Sequence, residues 1–72
     1  MSTDFLLGGE AGKIYRMIVD CREARNVSRE RGGPGFSRWE QEFLDEITAR
    51  FGRRGWLRRE QIERLRQMWD RI

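Results

Sequence analysis

Seventy-two residues carrying 15 basic and 12 acidic side chains and no histidine give a net charge of +3 and a pI near 10.0. A chain of this length buries only roughly 60% of its unfolded surface, and its core supplies a stability margin on the order of 3–5 kcal/mol. That leaves little room for a deep substrate pocket, so the arithmetic argues against a self-contained enzyme and for one small basic domain spanning residues 1–72.

Cys21 is the sole cysteine, which excludes an internal disulfide and a thiolate cluster for zinc or iron–sulfur. Without histidine there is no Ser-His or Cys-His pair and no imidazole–metal arrangement. No catalytic residue, cofactor or metal is therefore expected. No apolar run approaches the roughly 18–20 residues of a membrane span, and no basic region followed by an apolar stretch opens the chain. The expected setting is cytoplasmic and reducing, with no membrane partner.

Glycine divides the chain into three helix-like stretches. Phe5, Leu6 and Leu7 form a short apolar patch before Gly8-Gly9, compatible with a turn of helix, an edge strand or a lid, and also with a homodimer contact. The string from Gly8 to Ile14 superficially resembles a phosphate loop, but its Gly-to-Gly-Lys spacing is one residue short and Ile14 stands at the magnesium-binding Ser/Thr position. A flexible helix entry is the better reading.

The first helix is expected over about residues 10–26, where Ile14, Met17, Ile18 and Cys21 recur at helical spacing with Tyr15 and Val19 on the flanks. Residues 28–35, with Gly32-Gly33-Pro34-Gly35, form the linker. Ser37-Arg38-Trp39-Glu40 is a capping box that starts a second helix over about residues 37–51. Trp39, Phe43, Leu44, Ile47 and Phe51 line one face of it, and Gly52 stands where a left-handed cap ends it. A third helix is expected over about residues 58–72, with Gln61, Ile62, Leu65, Met68, Trp69 and Ile72 on one side and Trp56 and Leu57 folded against the same core. The fold class is all-α: a small three-helix domain whose second and third helices make a C-terminal helical hairpin.

Arginine supplies 14 of the 15 cations, Lys13 being the exception. Guanidinium forks bind phosphate or carboxylate bidentately and stack on flat rings. The charge is segregated: residues 52–59 carry +4 and residues 13–31 carry +3, whereas residues 36–51 carry −2. Several arginines have acidic neighbours four residues away, namely Arg16 with Asp20, Glu46 with Arg50, Glu60 with Arg64 and Arg66 with Asp70, and these are expected to pair within their helices. Two basic centres remain as candidate partner-binding sites: Arg22, Arg25 and Arg29 at the end of the first helix, and Arg53, Arg54, Arg58 and Arg59 at the hairpin turn. Trp39 and Trp69 are assigned to the core. Trp56, inside the basic turn, is the candidate anchor or base-stacking residue.

The pattern Trp39-Glu40-x-x-Phe43-Leu44-x-x-Ile47, a glycine-containing turn, then Leu57, Gln61, Leu65 and Met68-Trp69 resembles a helical segment of small phage- and prophage-encoded proteins of DNA metabolism, in which a Leu-Ser/Thr-x-x-Gln turn begins the last helix. The resemblance covers residues 37–72, about half the chain. Arg58 departs from it by standing at the capping Ser/Thr position, which removes a cap and sets a positive charge at a helix N-terminus. In size, bare chemistry and charged surface the chain also resembles small phage inhibitors of the anti-CRISPR kind, a likeness of style that carries no residue-level site. These likenesses imply a non-enzymatic protein whose partner is nucleic acid or a nucleic-acid-handling complex, or else a protein inhibitor that acts by protein–protein contact alone. A structural homo-oligomer is the third reading.

Overall fold

The computed structural model describes residues 9–72. The Phe5-Leu6-Leu7 patch lies outside them. Three α-helices and one 3₁₀ turn make up the described chain: α1 (Gly9–Ala24), the 3₁₀ turn Arg29–Arg31, α2 (Arg38–Arg54) and α3 (Arg59–Trp69). The all-α, three-helix expectation holds. Among the described residues no helix is long and apolar enough to cross a membrane.

Among the described residues ten side chains form the core: Ile14, Met17, Ile18 and Cys21 from α1, Leu44 and Ile47 from α2, Leu65 and Met68 from α3, and Phe36 and Leu57 from the connectors. The i, i+3, i+4, i+7 spacing of the α1 set puts all four on one face. Backbone contact between helices is most extensive for α1 with α3, then for α1 with α2. α2 and α3, expected to pack on each other as a hairpin, make less backbone contact with each other than either makes with α1. Trp69 Nε1 donates to Asp20 Oδ2 at 3.0 Å, joining the C-terminal parts of α3 and α1. α2 is joined to α3 by the short turn 55–58.

The expected capping box at Ser37 is formed in full. Ser37 Oγ accepts from the Glu40 N–H at 3.1 Å, and Glu40 Oε1 accepts from the Ser37 N–H at 2.8 Å. The far end of α2 differs from expectation. Gly52 does not stop the helix, which continues to Arg54. The left-handed cap is Gly55, with φ 78° and its N–H donating to the Phe51 carbonyl at 2.8 Å. An αL cap needs a residue without a β-carbon, and both glycines qualify. The helix runs to the second because the intervening Arg53 and Arg54 are good helix formers that suit a C-terminal dipole. At α3, Arg58 is the N-cap residue but its side chain has no acceptor. Gln61 Oε1 takes the Arg58 N–H at 2.9 Å and supplies the available half of a box. Buried Leu57 and half-buried Ile62 occupy the two positions of a hydrophobic staple around this start.

The linker is compact where it meets α1. A β-carbon at Gly33 would lie 1.9 Å from the Val27 carbonyl oxygen, so the chain can turn back there only at glycine. Phe36 leaves this linker into the core. Its carbonyl accepts from Gln41 Nε2 at 3.2 Å. Above it, the Arg71 guanidinium lies 5.3 Å from the Phe36 ring centre, donates to the Pro34 carbonyl at 3.1 Å and pairs with Glu40. Arg71 thus ties the end of the chain to the linker and to the first turn of α2.

Burial raises the Glu40 pKa, but the hydrogen bond from the Ser37 N–H and the Arg71 charge outweigh it, and the carboxyl ends below its usual value of 4.5. A carboxyl held low contributes stability that is complete above its unfolded pKa and is lost as pH falls through the folded one. Glu40→Gln keeps an acceptor for the Ser37 N–H and loses the charge. Thermal melts between pH 5 and pH 3 should therefore show a steeper fall in Tm for the wild type than for Glu40→Gln. Parallel falls would contradict the role given to this carboxylate.

Candidate nucleic-acid interface

The two basic centres read from the sequence fall at different levels of the bundle. Arg25 reaches across to α2, where its Nη1 donates to Asp45 Oδ1 at 2.7 Å. Asp45 and Arg54 are nine residues apart on one helix, about 13 Å along its axis at 1.5 Å per residue. The arginines do not form a single basic face.

At the end of α1 one of the three arginines is paired with a carboxylate. Arg25 is neutralised by Asp45 and its side chain is only 20% exposed, which corrects its assignment as a free binding group. The pair forms because α1 packs against α2 and brings the basic end of the one within a side-chain length of an acidic residue of the other. The Arg29 side chain lies against the Gly35 backbone, where an added β-carbon would strike it. Arg22 is exposed beside Val19, Glu23 and Asn26.

The centre at the α2–α3 turn is different. Arg53 and Arg54 occupy the last turn of α2, and Arg58 and Arg59 open α3, all four exposed. Arg53, Arg54 and Trp56 line a shallow open depression of about 370 Å³. Among the described residues Arg53, Arg54 and Arg58 make no ion pair, whereas Arg59 is engaged with another group. Trp56 is half-buried, packs against the core and has partners of its own, so its ring is a wall of the depression and not a projecting anchor. The Arg50 guanidinium stands 5.0 Å from the Trp56 ring centre. Arg50 Nε is buried without a hydrogen-bond partner among the described residues, and the ring face offsets part of that cost. A third cation thereby lies one helical turn behind Arg53 and Arg54.

Trp39 is the clearest correction among the aromatic residues. Assigned to the core from the sequence, it is 54% exposed. At 100° per residue Trp39 lies about 140° round α2 from Leu44, and the buried stripe follows Glu40, Leu44 and Ile47 instead. The indole stacks on Phe43 with ring centres 5.5 Å apart and planes 6° apart. The Arg64 guanidinium lies 4.8 Å from its ring centre. Trp69 is half-buried against the core, as its helical spacing implies, and Ile72, counted with the apolar face of α3, is exposed beyond the helix end. Of the four expected i, i+4 pairs, Arg16–Asp20 forms at 3.5 Å. Arg50 and Arg64 turn to tryptophan rings instead.

The sequence reading missed Phe36, Arg71 and the three arginine–ring contacts. Phe36 had a visible signal, an apolar residue directly ahead of a capping box. The ring contacts join residues on different helices or turns and leave no local pattern. The superficial phosphate-loop string is regular helix from Gly9 onward. Among the described residues no group of three or more acidic, cysteine or histidine side chains is placed to hold a metal ion. No family model, curated protein or solved structure matches the chain.

Cys21 is fully buried on the inner face of α1. Burial, with a smaller push from the Asp20 charge, raises its thiol to about 11. The thiolate is the reactive form, so native protein at pH 8 should be alkylated by iodoacetamide two to three orders of magnitude more slowly than protein in urea, where the ordinary value of about 8.5 applies. Equal rates in the two states would contradict the assignment of Cys21 as a plain core residue.

Proposed function

We propose that this chain is a small non-enzymatic binding protein of phage or mobile-element type, acting inside the cell on nucleic acid or on a nucleic-acid-handling complex through the basic turn at residues 53–59. The observation that carries the reading is the turn itself. Arg53, Arg54 and Arg58 make no ion pair among the described residues, and two of them flank a depression walled by Trp56. Elsewhere Arg16, Arg25, Arg38 and Arg71 meet carboxylates and Arg50 and Arg64 lie on rings, whereas this turn brings three arginines without an ion pair among the described residues close together in sequence. The resemblance of residues 37–72 to a segment of phage DNA-metabolism proteins supports the same direction.

The contact is short. Exposed Glu60 and Glu63 follow on α3 and would meet phosphates unfavourably if that helix lay in a duplex groove, so the arginines engage a local run of backbone phosphates and carry no base readout. Fluorescence anisotropy with labelled single- and double-stranded 20-mers should show binding at 50 mM salt. For three or four phosphate contacts on a single strand the affinity should fall by about 20–50-fold at 200 mM. The double variant Arg53→Gln/Arg54→Gln should bind more weakly with a shallower salt slope. No binding at 50 mM salt, or an unchanged slope in the variant, would overturn the reading.

A further inference from the structure

The described residues leave the outward face of α1 uncovered. Half-buried Val19 stands at its centre, at least about 100° round the helix from Ile14, Met17, Ile18 and Cys21, which face the core. Gly12, Tyr15, Arg16, Arg22 and Glu23 surround it and are exposed, Tyr15 to 62%. Two shallow hollows of about 410 and 280 Å³ open on this face, and Val19 and Glu23 line both. Arg16 lies 3.5 Å from Asp20, yet its side chain stays 74% exposed, with donors to spare. Arg22 and Glu23 make no ion pair among the described residues.

The charge pattern of this face fits a second copy of itself. Arg16 and Arg22 are balanced by Asp20 and Glu23, so the face carries no net charge and favours neither an acidic nor a basic foreign surface. Positions are measured from Val19 at about 100° and about 1.5 Å per residue. Arg16 and Glu23 sit about 60° and about 40° to one side, about 4.5 Å before it and about 6 Å after it. Tyr15 and Arg22 sit about 40° and about 60° to the other side, about 6 Å before it and about 4.5 Å after it. A two-fold axis at Val19 matches these groups. With the helices antiparallel, Arg16 meets the partner's Glu23 and Tyr15 meets the partner's Arg22. With the helices parallel, Glu23 meets the partner's Arg22 and Tyr15 meets the partner's Arg16. In either direction each arginine of this face finds a carboxylate or a ring opposite, every contact occurs twice, and no like charges are opposed. Gly12 has no side chain to hold a second helix off. We propose that α1 of one chain packs through this face on α1 of a second, with Val19 against Val19 on the two-fold axis, to make a homodimer. The proposal goes beyond the basic-turn reading and uses none of residues 53–59.

The test is sedimentation equilibrium of the full chain from about 10 μM to about 1 mM, with helical circular dichroism checking the fold of each variant. One helix face makes a small interface, so a dissociation constant on the order of 100 μM is expected. Glu23→Arg sets like charges across the axis in either direction and should weaken the dimer at least ~10-fold. A second reversal should restore it to within about 3-fold of the wild type: Arg16→Glu if the helices are antiparallel, Arg22→Glu if they are parallel. Independently, Val19→Cys should form a disulfide-linked dimer on mild oxidation, because Cys21 is fully buried and the new thiol stands on the axis. Ala49→Cys, exposed on α2, should not. A wild-type chain monomeric at 1 mM, an undiminished dimer in Glu23→Arg, rescue by neither second reversal, or equal cross-linking at positions 19 and 49 would each overturn the proposal. Failure here leaves the basic-turn reading untouched, because that reading is measured with Arg53 and Arg54.

Discussion

No helix of this bundle can bury its apolar stripe alone, and the fold depends on α1 closing the gap between the other two. Its Ile14, Met17, Ile18 and Cys21 face meets Leu44 and Ile47 on one side and Leu65 and Met68 on the other, with Phe36 and Leu57 sealing from the connectors. So small a core has no room for a polar interior. Among the described residues no polar or charged residue is buried as a whole, and the charged groups are confined to the helix flanks and ends.

Confinement to the surface makes arginine the economical cation here. Its flat, weakly hydrated head can lie on a ring, and its stem covers apolar surface. Arg50, Arg64 and Arg71 each do so, on Trp56, Trp39 and Phe36, while Arg25 and Arg71 also neutralise the acidic first half of α2. The arrangement partitions the cations. Arg25 and Arg71, near the acidic face of α2, are consumed in holding the bundle, and Arg53, Arg54 and Arg58, at its far end, make no ion pair among the described residues.

The legible part of the fold was the local part. The α1 stripe, the Ser37 capping box and the all-α architecture follow from spacings of three and four residues and from a four-residue motif, and all are present. Helix ends at competing glycines were less legible, because Gly52 and Gly55 are equivalent caps until the helix propensity of the two arginines between them is counted. Trp39 was misplaced because it was grouped on one apolar face with Phe43, Leu44, Ile47 and Phe51, although its angular position on the helix puts it on the flank of the buried stripe. For the site, charge segregation singles out the turn at residues 53–59 as a concentration of arginine. The same reasoning could not see that Arg25 would cross 20 residues of sequence to meet Asp45, since a tertiary ion pair has no spacing to betray it.

The central claim is that the fold divides its arginines into held and free groups, and arginine side-chain NMR measures that division directly. Rotation about the Nε–Cζ bond and exchange of the Nε–Hε proton should be slowed for Arg25 and Arg71, whose guanidinium groups are fixed by carboxylates, and fast for Arg53, Arg54 and Arg58. If Arg53, Arg54 and Arg58 prove as restrained and protected as Arg25 in the isolated protein, the turn is internally neutralised and the account fails.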